Sequence, residues 1–497
     1  MITRRMVLVG LLAGVAMPSV AEVMESSPRP VARGGKSVAA GAAAPRAPVD
    51  ADALVTAAKL GGAVAFVLAD AKTGAVLAAR DPDRALPPAS VAKAVTSLYA
   101  LERLGAGYRF TTRVLATGPV EAGMVQGDLV LAGGGDPTLQ TDQLGDLVAR
   151  LAAGGLTGVT GRFLYWNGAL PKLHEIAADQ PVHVGYNAAI SGLNLNFNRA
   201  NFEWKRVSGD WQVTVDARGE RFLPAVDMVR VGIAVREAPL FTYDAGQVEE
   251  WTVAASALGK GGSRWLPVRD PGRYVAEVFR TLARAQGIRL PVGAAVGTLP
   301  PGAELGRVES EPLPEVLRDM VKFSTNLTAE CVGLTASGLP GLEASGKAMS
   351  DWVRATFGVG FEMHDHSGLG GRSRVTASGM ARLLVQAERE GRGLKPILRD
   401  VGMKDDKGGV IKGHPVKVLA KSGTLNFVSG LAGHIVPPPT SKNRGRELVF
   451  AIFTGDPERR DAVPVSLREE PEGASAWTRR ARRLQGQLIS RWAEAYG

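Results

Sequence analysis

The sequence predicts an α+β protein in which one mixed domain, assembled from both ends of the chain, is interrupted by a mainly β insertion. Three observations carry this reading. Two strand-like runs and an amphipathic helix open the ordered part. Short β-like runs separated by glycine turns fill the stretch from about Thr111 to Leu299. Helices and strands of the opening texture then return and continue to a basic terminal helix. With 497 residues, at roughly 150 per domain, there is room for about three domains. Apolar residues make up 45% and charged residues 22%, which excludes a mostly disordered chain.

The elements follow in order. Met1 to Arg5 carries two arginines, Met6 to Met17 is apolar and uncharged, and Ser19-Val20-Ala21 places small residues before a cleavage point. Residues 1–21 therefore read as a secretory signal peptide. Thr3-Arg4-Arg5-Met6-Val7-Leu8 also fits a loose twin-arginine signal, so either export route is open. The competing reading, an uncleaved anchor, meets an apolar run short of the roughly 20 residues a span needs. Residues 22–48, rich in Pro, Ala, Gly and Ser, read as a flexible linker. Gly62 to Ala69 and Ala75 to Ala79 read as strands joined by a turn at Asp70 to Gly74. Ser90 to Leu104 has helical spacing, entered through Pro87-Pro88.

Residues 113–304 form the insertion, with strands such as Asp128 to Ala132, Phe163 to Trp166, Trp211 to Val215 and Val229 to Val235, and a helix at Tyr274 to Gln286. Residues 49–112 and 305–497 form the mixed domain. Leu313 to Ala336 is helical but broken around Ser324-Thr325-Asn326. Thr376 to Glu388 is a further helix. Val416 to Ala420, Ser429 to Val436 and Glu447 to Phe453 are strands, and Ala476 to Tyr496 is a basic amphipathic helix.

The single cysteine, Cys331, excludes an intramolecular disulfide and any zinc site built from several cysteines. A net charge of +10 fits either nucleic acid or an anionic envelope surface. Export argues against nucleic acid and leaves contact with anionic envelope polymer.

Three short motifs carry chemistry. In Ser90-Val91-Ala92-Lys93 the serine and lysine lie three apart, on one face of a helix and within hydrogen-bonding reach. A desolvated lysine loses its proton near neutral pH and then serves as the base a nucleophilic serine needs. Alone, the pair also fits a helix-capping serine and a surface lysine. Ser324-Thr325-Asn326 interrupts a helix, where Ser and Asn project into a cleft or merely cap a turn. Lys421-Ser422-Gly423-Thr424 closes an apolar strand. There a lysine holds a carboxylate, a glycine admits a substrate backbone, and strand-edge N–H groups complete an oxyanion hole. Two decoys are set aside: Lys72-Thr73-Gly74 fills a hairpin turn, and Ser441-Lys442-Asn443 lies in a polar loop. The order decides, because S-x-x-K, then Ser-x-Asn, then a Lys-Thr-Gly-type triplet marks penicillin-binding proteins and class A β-lactamases.

Beyond the triplet, Gly127-Asp128-Leu129-Val130-Leu131 running into Gly134-Gly135-Asp136-Pro137-Thr138-Leu139, Asn187 to Asn198, Lys322 to Leu327 and Asp365-His366-Ser367-Gly368-Leu369 carry a more specific likeness. With the long gap between Ser90 and Ser324, the chain resembles the penicillin-binding D-alanyl-D-alanine carboxypeptidases/endopeptidases of the class C low-molecular-mass type, from about Asp50 to Thr454. The resemblance implies a serine β-lactamase/transpeptidase-like catalytic domain with two nested inserted domains. It implies a periplasmic enzyme acting on peptidoglycan stem peptides through a serine acyl-enzyme, acylated by β-lactams, with no cofactor and no metal. It gives Ser90 as nucleophile, Lys93 as base, Ser324 as proton relay to the leaving amine and Asn326 as a hold on the acyl amide side. Lys421 with Ser422 and Thr424 would bind the terminal carboxylate, and the N–H groups of Ser90 and Thr424 the oxyanion. Ser422 stands where threonine is more frequent, keeping the hydroxyl. Trp166-Asn167 stands where similar relatives often carry acids, so no insertion residue is assigned to substrate.

The rival classes are a serine β-lactamase, a non-catalytic β-lactam sensor and a basic polymer-binding module. His364-Asp365-His366 reads as a structural turn rather than a metal pair. Cys331 reads as buried and apolar. Arg479-Arg480 and Arg482-Arg483 read as a solvated helix face. The sequence leaves the oligomeric state open.

Overall fold

Two runs at opposite ends of the sequence, AVAFVLAD (Ala63–Asp70) and LVFAIFTG (Leu448–Gly455), are apolar but for Asp70 and Thr454 and buried at every residue. Such runs need cover on both faces, which makes them central strands. They pair antiparallel from Ala63 opposite Gly455 to Asp70 opposite Leu448, and this joins the two ends of the chain. The computed structural model describes residues 51–405, 407–443 and 445–497. The proposed signal peptide and linker lie outside the described residues.

The sheet has six strands in the order Arg399–Asp400, Lys417–Leu425, Val428–Val436, Leu448–Gly455, Ala63–Asp70, Val76–Arg80. Helices Ala92–Leu104, Leu313–Phe323, Asn326–Ser337, Leu342–Phe357 and Ala377–Arg389 gather on one face around Tyr99, Met320, Val353 and Leu384. The terminal helix Ala474–Tyr496 covers the other face with Trp477, Leu484, Leu488 and Trp492. Trp477 Nε1 donates to the Leu60 carbonyl at 2.7 Å, which satisfies a polar atom that burial would otherwise strand.

The stretch between is β-rich. A five-stranded sheet runs in the order Ala294–Ala295, Phe163–Trp166, Leu129–Gly133, Thr111–Ala116, Ala303–Glu309. Three three-stranded sheets accompany it. Thr111–Ala116 and Ala303–Glu309 pair antiparallel, with Thr111 opposite Glu309. Residues 305–309 thus hydrogen-bond into this inserted sheet rather than into the flanking domain, a few residues beyond the boundary read from sequence. An insertion leaves and rejoins its host most economically through two adjacent strands, and that geometry is not visible in composition.

Helix Thr141–Ala153 lies within the stretch read as strands and turns. Leu144, Leu147, Val148 and Leu151 form its buried face, but Gly145 lowers its helix propensity and hides the pattern. The glycine has a packing reason: a Cβ there would lie 2.6 Å from the Phe222 ring. Lys72-Thr73-Gly74 is a turn, with Asp70 Oδ1 accepting the Lys72 and Thr73 N–H groups and Gly74 at φ +71. Among the described residues no helix is long and apolar enough to cross a membrane.

Candidate active site

Pro87-Pro88 leads into a single tight turn, Ala89–Val91, that runs directly into helix Ala92–Leu104. Ala89 has φ +47, a left-handed conformation that costs a non-glycine residue energy and is kept only where its surroundings enforce it. One such neighbour is Gly368, where a Cβ would stand 1.9 Å from the Ala89 carbonyl oxygen. The turn sets Ser90, half-buried, above Lys93, which is wholly buried.

Lys93 Nζ donates to Ser90 Oγ at 2.9 Å, to Asn326 Oδ1 at 2.8 Å and to the Ser367 carbonyl at 2.9 Å. These are three contacts for an ammonium. A neutral amine keeps two N–H donors, enough for Asn326 and Ser367, and turns its lone pair toward the Ser90 hydroxyl. Burial pushes Lys93 down to about 7, opposed by the charges of Glu330 and Asp365. Glu330, fully buried on helix Asn326–Ser337, accepts the His366 and Ser367 N–H groups at 2.9 Å each. Asp365 accepts those of Gly368 and Gly370 at 2.7 Å each. Burial pushes both carboxyls up. The two carboxylates thus fix the loop whose Ser367 carbonyl holds the lysine.

Helix Leu313–Phe323 ends at Ser324, whose φ of 58 and ψ of 35 turn the chain before the next helix starts at Asn326. The break directs Ser324 Oγ to Lys421 Nζ at 2.9 Å, and Lys421 also donates to the Ser422 carbonyl at 2.9 Å. Burial, then the charges of Lys93 and Arg399, push Lys421 well below its ordinary value. Asn326 is held from both ends: Lys93 donates to its Oδ1, and its Nδ2 donates to the Tyr186 carbonyl of the insertion at 3.0 Å. Gly423 touches the turn that carries Ser90. A Cβ there would lie 2.6 Å from the Pro88 carbonyl oxygen and 2.8 Å from the Ser90 nitrogen.

The structure therefore gathers Ser90, Lys93, Ser324, Asn326, Lys421 and Gly423 in one place. Ser422 and Thr424 alternate to the other face of the strand and are half-buried. The Thr424 hydroxyl accepts from Arg482 Nη2 of the terminal helix at 3.2 Å. Sequence reasoning missed the Ser367 and Tyr186 carbonyls, the Glu330 carboxylate and Arg482. Backbone carbonyls leave no residue-type signal, and a glutamate one turn beyond Asn326 looks like any helical acid. Cys331 is buried, and Asp365 shapes its own turn through the two glycine N–H groups it accepts.

A buried lysine on a helix-start serine, beside a second lysine–serine pair at the edge of an antiparallel sheet, is the arrangement of a serine-type hydrolase. Its fold and sequence place it further. The chain belongs to the D-Ala-D-Ala carboxypeptidase 3 (S13) family, whose model matches residues 49–469. It is 30% identical over 507 residues to a D-alanyl-D-alanine carboxypeptidase of Actinomadura sp., covering 90% of this chain and 89% of that one. It is 24% identical to the D-alanyl-D-alanine carboxypeptidase DacB of Haemophilus influenzae, over 80% of this chain and 87% of that one. The crystal structure of penicillin binding protein 4 (dacB) from Haemophilus influenzae shares the fold, with a TM-score of 0.69 at 21% identity. The match covers 89% of this chain and 99% of that one. The same Haemophilus protein has been solved in complex with a β-lactam.

Proposed function

We propose that this enzyme hydrolyses D-alanyl bonds of peptidoglycan stem peptides, as a carboxypeptidase and on cross-links as an endopeptidase, through an acyl-enzyme on Ser90. The observation that carries the reading is the Lys93 amine, buried, pushed toward neutrality and 2.9 Å from Ser90 Oγ.

Neutral Lys93 takes the Ser90 proton as Oγ bonds to the carbonyl carbon. The oxyanion forms against the N–H groups of Ser90 and Thr424. The ladder closes on the two-residue turn Asn426-Phe427, and its alternation turns the Thr424 N–H to the strand's free edge, on the side of Ser90. Ser324 gives its hydroxyl proton to the leaving amine as the C–N bond breaks, the proton taken up by Lys93 replaces it and leaves Lys93 neutral again, and Asn326 holds the acyl amide. Lys421 holds the terminal carboxylate, and the Ser422 and Thr424 hydroxyls, from the strand's opposite face, meet it at the free edge. Water then attacks the ester and returns Ser90. In a β-lactam the broken amide stays tethered, so the adduct persists. We assign catalysis to the six-stranded-sheet domain built from both chain ends, and residues 1–21 to a signal that exports the protein to the periplasm.

Intact-mass spectrometry with benzylpenicillin over time, beside Ser90→Ala, tests this. A long-lived adduct on the wild type and none on the variant is expected. Rapid loss of the adduct with drug turnover would identify a β-lactamase instead, and no adduct at all would refute the mechanism.

A further inference from the structure

Beside the carboxylate-binding strand the surface carries three cations, none with a carboxylate within 4 Å among the described residues. Arg399 stands on the edge strand opposite Ala420, the residue before Lys421, and its Nη1 reaches the Lys322 carbonyl at 3.5 Å. Arg482 comes from the terminal helix and donates to the Thr424 hydroxyl. Lys404 lies against the same helix, its Cβ 2.9 Å from where a Cβ on Gly486 would be. Arg399 and Arg482 are exposed and Lys404 is half-buried.

None of the three forms an ion pair within 4 Å of a carboxylate among the described residues. The two acids nearest in sequence are already engaged. Asp400 accepts the Gly402 and Val418 N–H groups, and Asp405 those of Lys407 and Gly409. The cations instead feel one another. Partial burial, then Arg399 and Arg482, push Lys404 down, and the Asp405 charge opposes them only in part. Partial burial, then Arg399, push Arg482 down. Arg399 also acts on Lys421. Like charges gathered with only the Asp405 carboxylate acting against them raise the free energy of the empty protein and reward any anion that enters.

We propose that Arg399, Lys404 and Arg482 form an anion subsite on the leaving-group side of the cleft, which takes a second carboxylate carried by the leaving peptide. The inference rests on the reading in which Lys421 and Thr424 hold the first carboxylate. Departing D-alanine has only that one. The acceptor stem released from a cross-link brings further carboxylates on the same fragment. The subsite therefore favours cross-linked substrate over a pentapeptide ending in D-alanine.

The test uses the mature protein and two substrates with the same acyl half. One releases D-alanine and the other an acceptor stem peptide with at least two carboxylates. Arg399→Gln and Lys404→Gln, separately and together, are compared with wild type. The expected result is a loss of about fivefold to tenfold in kcat/KM on the cross-linked substrate. D-alanine release and benzylpenicillin acylation should stay within about twofold, which also shows that the variants fold. The selective loss should shrink with added salt. An equal loss on both substrates, or none on either, overturns the subsite while leaving the acyl-enzyme reading intact. If wild type cleaves neither substrate and forms no penicilloyl adduct, the acyl-enzyme reading fails and the subsite falls with it.

Discussion

Titrating Lys93 is the most direct test of the mechanism. A free lysine ammonium titrates near 10.5, and burial at this site brings Lys93 to about 7. That displacement corresponds to about 5 kcal/mol taken from the charged form. Desolvation supplies it, and Glu330 and Asp365 return part of it. The sign follows directly. Only the neutral amine accepts the Ser90 proton, so acylation is lost as pH falls through the folded value. Roughly nine-tenths of the amine is neutral at pH 8, about half at pH 7 and about one-tenth at pH 6. Below that, the rate drops about tenfold per pH unit. The assay is the second-order rate of benzylpenicillin acylation from about pH 5 to 9, followed by stopped flow and checked by intact mass. The drug's carboxylate, with an ordinary value near 4, stays ionised across this window. Because Lys93 and Glu330 are close, the midpoint belongs to the pair. A profile flat from pH 5.5 to 8.5, or one still rising toward 10, would refute a neutral Lys93 as the base.

Two further predictions concern packing and stability. Gly423→Ala forces a Cβ to within 2.6 Å of the Pro88 carbonyl oxygen and 2.8 Å of the Ser90 nitrogen, both backbone atoms. The strand and the Ser90 turn must separate, so acylation should fall about 100-fold or more with a stability loss of about 1–3 kcal/mol, read by stopped flow and urea melts. Glu469, just ahead of the terminal helix, pairs with Arg264 and with His183 Nε2 at 2.6 Å, and these partners hold its carboxyl down to about 2 despite burial. A depressed carboxylate stabilises above its unfolded value near 4.5 and loses that contribution as pH falls through about 2, here about 3 kcal/mol at pH 7. Glu469→Gln should therefore lower urea stability clearly at pH 7 and by less than about half as much at pH 3. An equal loss at both pH values would sink the ionic explanation.

The sequence by itself determined the class of chemistry. Ser90 and Lys93 lie three apart at a helix start, Ser324 and Asn326 at a helix break, and Lys421 on a strand, and each spacing fixes local geometry within one turn or one pleat. It also determined the sheet's central strands, because runs such as Leu448–Gly455 have no polar face to give to water. Tertiary structure decided the rest. The base role proposed for Lys93 depends on other elements burying it and on carbonyl and amide oxygens from Ser367 and Asn326, far away in the chain, meeting its N–H groups. Gly423 matters because Pro88 and Ser90 arrive against it. Helix Thr141–Ala153 was hidden by a glycine that only the Phe222 ring explains. Arg399, Lys404 and Arg482 converge from separate elements onto one rim. Spacing encodes what neighbours in the chain can reach, whereas desolvation and the meeting of distant charges exist only once the chain is folded.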